Sequence, residues 1–188
     1  MNGAARGSGP SDALVLCGIT GDLAYRQIFP ALYAMSRRGV LRVPLVGVAS
    51  SKPDLAGLRR RATESIRKSG GIGDRRALQQ LLSKLGYVNG DYNDPATFQA
   101  LKAALGGARR PAYYLAIPPA LFATVIKSLS AAGLADHARV IAEKPFGREP
   151  ASARSLNRVA RSVFAEEAIF RIRADGGWHN PAAEPVRA

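Results

Sequence analysis

The 188-residue sequence holds one cysteine, two histidines and one tryptophan. A single cysteine excludes an internal disulfide framework and suits a reducing compartment, so a cytoplasmic location is the expectation. Cys17 lies within the apolar run ALVLC and reads as a small buried strand residue. No run of about 18 apolar residues is present, so no spanning helix and no membrane partner are expected. The opening MNGAARGSGPSD lacks the apolar segment of a secretory leader; residues 1–12 are expected to be a disordered Gly- and Ser-rich tail. Acid is scarce: 14 Asp and Glu stand against 27 Lys and Arg, a net charge of +13. Such a balance attracts phosphate backbones. The arginines nevertheless fall in scattered groups (Arg37-Arg38, Arg59-Arg60-Arg61, Arg75-Arg76, Arg109-Arg110) with no interleaved aromatics and no nucleic-acid module. They read as solvated helix faces, and no nucleic-acid partner is expected.

What is present is a chain 47% hydrophobic with strand and helix signals in alternation, enough for one domain with a sizeable core. Short apolar runs predict strands at 13–17, 45–49, 87–88, 112–117, 138–143 and 168–172. Helical spacing predicts helices over 22–38, 54–69, 74–85, 95–105, 119–132 and 150–163. Pro30 is expected to interrupt the first of these and open its main segment. Asp94-Pro95 supplies an N-cap followed by proline at the first helical position. Alternation of this kind implies an α/β, doubly wound, Rossmann-like parallel sheet with helices on both faces. The domain is expected over 13–172, and residues 173–188, with neither period, as a disordered tail.

Ligands of such folds collect outside the carboxyl ends of the strands, here at 18–24, 50–52, 90–92, 116–119 and 143–147. The first tip, CGITGDLA, runs from strand to helix, the context that a phosphate-binding turn requires. Gly18 permits a sharp turn, Gly21 admits a pyrophosphate without a Cβ in the way, and the helix behind offers free N–H groups. Its spacing is Gly-x-x-Gly rather than G-x-G-x-x-G, a weak pattern by itself. At the second tip, Ser50-Ser51-Lys52, no acid occurs until Asp54, which leans towards a 2′-phosphate and NADP. At the fifth, Lys144 follows a buried strand and could hold a phosphate or sugar oxygen, with Pro145 able to fix its direction.

Four stretches together, GITGDLAYRQIFPALYAM, VNGDYNDPATFQALK, YYLAIPP and RVIAEKPFGREPASARSLN, resemble the N-terminal coenzyme domain of the glucose-6-phosphate dehydrogenase family, in its order and spacings, from about Leu14 to Ile172. The resemblance implies oxidation of glucose 6-phosphate to the lactone with hydride passed to NADP. It implies that Gly18, Thr20, Gly21, Asp22 and Leu23 line the dinucleotide turn, and that Ser50 and Lys52 lie where the 2′-phosphate is held. Asp91 and Tyr92 would sit beside the adenosine half, and Ala116, Ile117 and Pro118 would run past the nicotinamide. Lys144 would touch both coenzyme and substrate.

Three departures qualify this. The family usually has Arg where Ser50 stands, so NAD is also possible unless Lys52 compensates. Many members have Lys where Gln27 stands. After Arg171-Ile172 the family continues Asp-His-Tyr-Leu-Gly-Lys-Glu, whereas this chain continues Arg-Ala-Asp-Gly-Gly-Trp-His. A reading-frame shift or truncation near codon 173 is the expectation. The phosphate-binding His and Lys, the general-base His and the second, α+β domain with the oligomer contacts would then be missing. His137 precedes a strand, at the wrong end of the sheet, and His179 lies in the tail. The expected outcome is dinucleotide binding, weak or no binding of glucose 6-phosphate, no turnover by this chain alone, and poor solubility from a bare sheet flank near 168–172. The competing readings are a nucleotide-binding module without turnover and a sugar oxidoreductase of the glucose–fructose type. The latter usually carries G-x-G-x-x-G in the first turn and fits less well.

Overall fold

The computed structural model describes residues 9–50, 53–143, 150–172 and 178–179. Strands β1 (Ala13–Cys17), β2 (Leu45–Ala49), β3 (Leu85–Asn89), β4 (Pro111–Leu115), β5 (Arg139–Glu143) and β6 (Ile169–Ile172) alternate with helices α1 (Phe29–Arg37), α2 (Leu55–Lys68), α3 (Arg75–Lys84), α4 (Pro95–Leu105), α5 (Phe122–Ala131) and α6 (Pro150–Val163). The sheet order is β3-β2-β1-β4-β5-β6, all parallel, with a two-residue strand β7 (Trp178–His179) added antiparallel beyond β6. The expected doubly wound fold is present.

Alternation along each strand feeds two cores. Val15, Cys17, Val46, Val48, Tyr113 and Leu115 face one side, beneath α4, α5 and α6. Leu16, Leu45 and Ala49 face the other, beneath α1, α2 and α3. A fully buried Leu58 or Ile66 in α2 contributes about 1.5–3 kcal/mol, which outweighs the poor helix capacity of a segment crowded with like charges. Asp54 and Asp74 cap α2 and α3 by accepting from Gly57 N and Ala77 N, at 2.7 and 2.9 Å.

The structure corrects several boundaries. Pro30 does open α1, in its first turn, but it does not interrupt the helical run. A π turn at Ala24–Ile28, closed by Phe29 N–H donating to Ala24 O, carries the chain into α1 unbroken. Proline's missing N–H is harmless at that position. β3 begins at Leu85, not Tyr87, because a buried leucine satisfies helical and strand patterns alike. β4 begins at Pro111, a first-strand position where no ladder donor is needed.

Residues 9–12 belong to the fold rather than to a tail. Asp12 accepts from the N–H groups of Arg109 and Arg110, each at 2.8 Å, and Arg139 donates to Ser11 Oγ at 2.8 Å and Gly9 O at 2.5 Å. Burial pushes the Asp12 carboxyl up, but those N–H groups outweigh it and hold it below the usual carboxylate range. The absence of strand expected over 173–188 fails at two residues: Arg171 pairs with His179 and Ile172 with Trp178. An edge strand's unpaired backbone groups recruit even unpatterned chain.

Candidate functional site

Strand order reverses between β1 and β4, and the crevice at the carboxyl ends there is where such sheets bind ligands. The turn leaving β1 is the centre of that edge. Gly18 has φ +82°, a conformation that L side chains rarely adopt, and a Cβ placed on it would lie 2.1 Å from Ala116 O. Gly18 is thus required by the close approach of the β4 tip. Ala116 N donates to Cys17 O at 2.9 Å and locks that approach.

On the other flank Gly18 N–H donates to both Val48 O and Tyr92 Oη, each at 2.8 Å. Tyr92 Oη in turn donates to Val48 O at 2.7 Å. The phenol sits beneath the turn, 6% exposed, and Tyr92 cross-links the tips of β1 and β2 from β3's end. Its burial drives the hydroxyl's ionisation far above the ordinary tyrosine range, so it remains a donor. Cys17, wholly buried next to it, is pushed up to about 12 by burial alone and is an inert core thiol.

The turn then points outward. Gly21 N donates to Gly18 O at 2.9 Å, and Tyr25 N to Gly21 O at 3.1 Å, as the helix begins. Gly21 and Asp22 are exposed, Thr20 and Leu23 half-buried, and Ile19 is fully buried. A Cβ on Gly21 would meet one atom, Gly18 O, at 3.2 Å, a tight contact that a small backbone shift would relieve, so the protein demands glycine far less there than at Gly18. The leading N–H groups of a helix have no intrahelical acceptor, and with the helix dipole they favour an anion. A pyrophosphate fits this surface: the site offers backbone donors and a Cβ-free approach at Gly21.

The neighbouring tips differ in what they present. Ser50 is exposed; Ser51 and Lys52 lie outside the described residues. Asp91 is exposed, but its Oδ1 accepts from Asn93 N at 2.9 Å and Asn93 Nδ2 at 3.0 Å, and Thr97 Oγ1 donates to Asp91 O at 2.7 Å. Its carboxylate therefore builds the turn into α4. Ile117 is half-buried against the Gly18 turn and Pro118 exposed, followed by a 3-10 turn at Pro119–Leu121. At the β5 tip Tyr114 donates its hydroxyl to Glu143 Oε1, while Lys144 and the rest of EKPFG lie outside the described residues. Burial, helped by that carboxylate, raises the Tyr114 hydroxyl well above its ordinary value. His137 is exposed, with φ 56°, at the amino end of β5, the far edge of the sheet from the Gly18 turn.

Three features escaped the sequence reading. Gly47, central in β2, makes room for Ile19, whose side chain would lie 2.7 Å from a Cβ. An isolated glycine within a strand run was the available signal. Tyr92 was visible only as a tip residue, not as a buckle. Arg61 of α2 reaches the turn, Nη2 to Gly21 O at 3.4 Å, with its guanidinium over the Tyr25 ring at 4.6 Å; no local pattern marks it.

A parallel sheet with a glycine turn opening a helix at its switch point defines a dinucleotide-binding domain of the doubly wound class. Residues 15–174 match the family model for the NAD binding domain of glucose-6-phosphate dehydrogenase. The chain belongs to the glucose-6-phosphate dehydrogenase family, as its N-terminal coenzyme domain. It is 43% identical over 166 residues to glucose-6-phosphate 1-dehydrogenase 1 of Mycobacterium tuberculosis, covering 88% of this chain and 35% of that protein. Against the Saccharomyces cerevisiae enzyme the identity is 33% over 168 residues, with 82% and 33% covered. The crystal structure of the Mycobacterium avium enzyme superposes with a TM-score of 0.83 at 44% identity, over 87% of this chain and 36% of that one. A glucose-6-phosphate dehydrogenase solved in complex with its substrate glucose-6-phosphate superposes at 0.76 with 30% identity, over 86% and 36%. The chain thus spans about a third of the length of the relatives it matches.

Proposed function

We propose that this chain binds NADP across the tips of β2, β1 and β4 and serves as the coenzyme half of an enzyme oxidising glucose 6-phosphate in the cytoplasm. The observation that carries this reading is the Gly18–Asp22 turn. It is fixed by Ala116 on one flank and by Val48 and Tyr92 on the other, and it leaves an exposed helix start facing outward. A donor set held in place before binding loses little ordering entropy when the ligand arrives.

Preference for NADP rests on the acids near the ribose position. Asp54 caps α2 through Gly57 N and Asp91 holds the turn before α4, so both described carboxylates have structural work at Oδ1, and no acid directly follows β2 where a 2′-hydroxyl partner commonly stands. Gly18 would shape the dinucleotide turn and Gly21 admit the pyrophosphate without a Cβ in its way, with Thr20, Asp22 and Leu23 lining it at the helix start. Ser50 and Lys52 would flank the 2′-phosphate, and Ala116, Ile117 and Pro118 would wall the nicotinamide side. When bound, the coenzyme supplies the hydride acceptor.

Loss of hydride from the sugar's C1 also requires a base for the hydroxyl proton, typically worth about 10²–10⁴-fold. Of the two histidines, His137 is at the amino end of β5, the opposite edge of the sheet, and His179 is in β7, the flanking strand farthest along the sheet from the β1 turn on that side. The chain alone is therefore proposed to bind coenzyme without turning over sugar. Thermal melting with NADP, NAD and glucose 6-phosphate tests this. NADP at about 100 times its Kd should add about 2.7 kcal/mol, and the sugar phosphate should add little. A melt indifferent to both dinucleotides would sink the proposal.

A further inference from the structure

We infer that Arg61 is the specificity-determining contact for the 2′-phosphate of NADP in this chain, an inference that rests on the coenzyme-binding reading above. The residue belongs to α2, the helix after β2, so it approaches the glycine turn from the β2 side. In doubly wound folds the ribose next to the adenine lies over the tip of the second strand. A cation reaching Gly21 from that side stands next to the ribose, not the nicotinamide.

Its present bonding is incomplete. Nη2 donates to Gly21 O at a long 3.4 Å, to an oxygen that already accepts from Tyr25 N at 3.1 Å. Nε is buried with no hydrogen-bond partner. Among the described residues the ion pairs are Lys68–Glu64 and Arg161–Glu166; Arg61 is in neither, although its charge helps lower the Glu64 carboxyl, whose main partner is Lys68. The cation also stands at the positive end of a helix dipole, an unfavourable place until an anion lies between them.

The guanidinium also lies over the Tyr25 ring at 4.6 Å, a cation–π contact that helps hold it at the turn, and Lys68 lies over the same ring at 5.8 Å. An arginine held beside an exposed turn with its side-chain donors only partly matched is suited to bidentate phosphate binding. Ser50 at the β2 tip offers only a hydroxyl, so a planar fork for the phosphate, which a lysine such as Lys52 does not supply, would come from Arg61.

The test is calorimetric titration of the full 188-residue chain with NADP, NAD and 2′-AMP. Four variants accompany the wild type: Arg61→Gln, Arg61→Lys, the exposed neighbour Arg60→Gln and Lys52→Gln. Arg61→Gln should weaken NADP and 2′-AMP about ten-fold or more while changing NAD less than about three-fold. Arg61→Lys should fall between, since it keeps charge but not the fork, and it guards against misfolding of the glutamine variant. Arg60→Gln should change all three ligands less than about two-fold. Equal losses for NAD and NADP would place Arg61 at the pyrophosphate and overturn the assignment. So would an NADP-selective loss in Lys52→Gln with none in Arg61→Gln. Wild-type chain that binds neither dinucleotide would instead refute the coenzyme-binding reading itself.

Discussion

Replacing Gly18 and Gly21 by alanine one at a time separates a glycine that the fold needs from one that a ligand needs. At Gly18 the backbone has φ +82° and the new Cβ would sit 2.1 Å from Ala116 O and 2.9 Å from Ile117 Cγ2. The left-handed conformation alone costs about 1–2 kcal/mol. The obstacle is also backbone, so the β4 tip must move away and the Ala116 N to Cys17 O bond must stretch, another bond worth about 1 kcal/mol. Together, Gly18→Ala should destabilise by about 3 kcal/mol, a large part of the 5–15 kcal/mol typical of a domain. For a chain of this size that lowers Tm by about 6–12 °C. At Gly21 the φ is ordinary and a Cβ meets one atom, Gly18 O, at 3.2 Å. Gly21→Ala should therefore change stability by under about 1 kcal/mol while weakening dinucleotide binding about ten-fold or more through a methyl in the pyrophosphate's path. Circular-dichroism melts and calorimetric titration on the two variants read both effects. If Gly18→Ala melts within about a degree of the parent, the close approach of the β1 and β4 tips is wrong, and the site built on it falls too.

Tyr92→Phe should cost about 1–2 kcal/mol, since Val48 O loses one donor and Gly18 N–H one of two acceptors; urea unfolding measures it, and an unchanged midpoint would count against the buckle. Stability should fall in alkali. Cys17 has its folded value raised from 9.0 to about 12, so its contribution is complete below pH 9 and lost as pH rises from there through about 12. The hydroxyls of Tyr92, Tyr113 and Tyr114 are raised in the same direction and add losses above about pH 10. In a pH series of chemical melts, Cys17→Ala should postpone the onset of the decline towards pH 10, and an identical onset in both proteins would contradict the burial of the thiol. Asp54→Ala removes an exposed N-cap of α2 and should cost about 1 kcal/mol, read as a Tm drop of about 2–4 °C.

The fold was legible because its signals are short-range. ALVLC, LVGVA and RVIAE announce buried strands within five residues each, and Asp-Pro before α4 announces a cap within two. The glycine turn was legible for the same reason, since a strand, two glycines and a helix lie in one unbroken stretch. Boundaries slipped where one residue satisfies two patterns, as Leu85 does, or where the backbone takes a geometry that hydrophobic spacing does not encode, as in the π turn before α1. The docking of residues 9–12 was hidden because its partners, Arg109, Arg110 and Arg139, lie about a hundred positions away or more.

Distance along the chain also explains why the roles within the site were harder to read than its location. The bonds that hold Gly18 in place come from Val48, Tyr92 and Ala116, on three other strand tips, and the Tyr92 contact spans 74 positions. A lone sequence shows that Tyr92 lies near a tip but not whether its hydroxyl points up to a ligand or down into the sheet, because an aromatic suits either. Burial decides it: a phenol 6% exposed with two partners is part of the scaffold, whatever stands above it. The same logic, run in reverse, marks Arg61. Its partner at the turn is 40 positions away, its Nε has no partner, and a charge of that kind is kept half-buried at a loss unless something else completes it. Matched polar atoms thus assign Tyr92 to the scaffold, and the incomplete bonding of Arg61 is what singled it out for the test above, a distinction that no pattern within the sequence could draw.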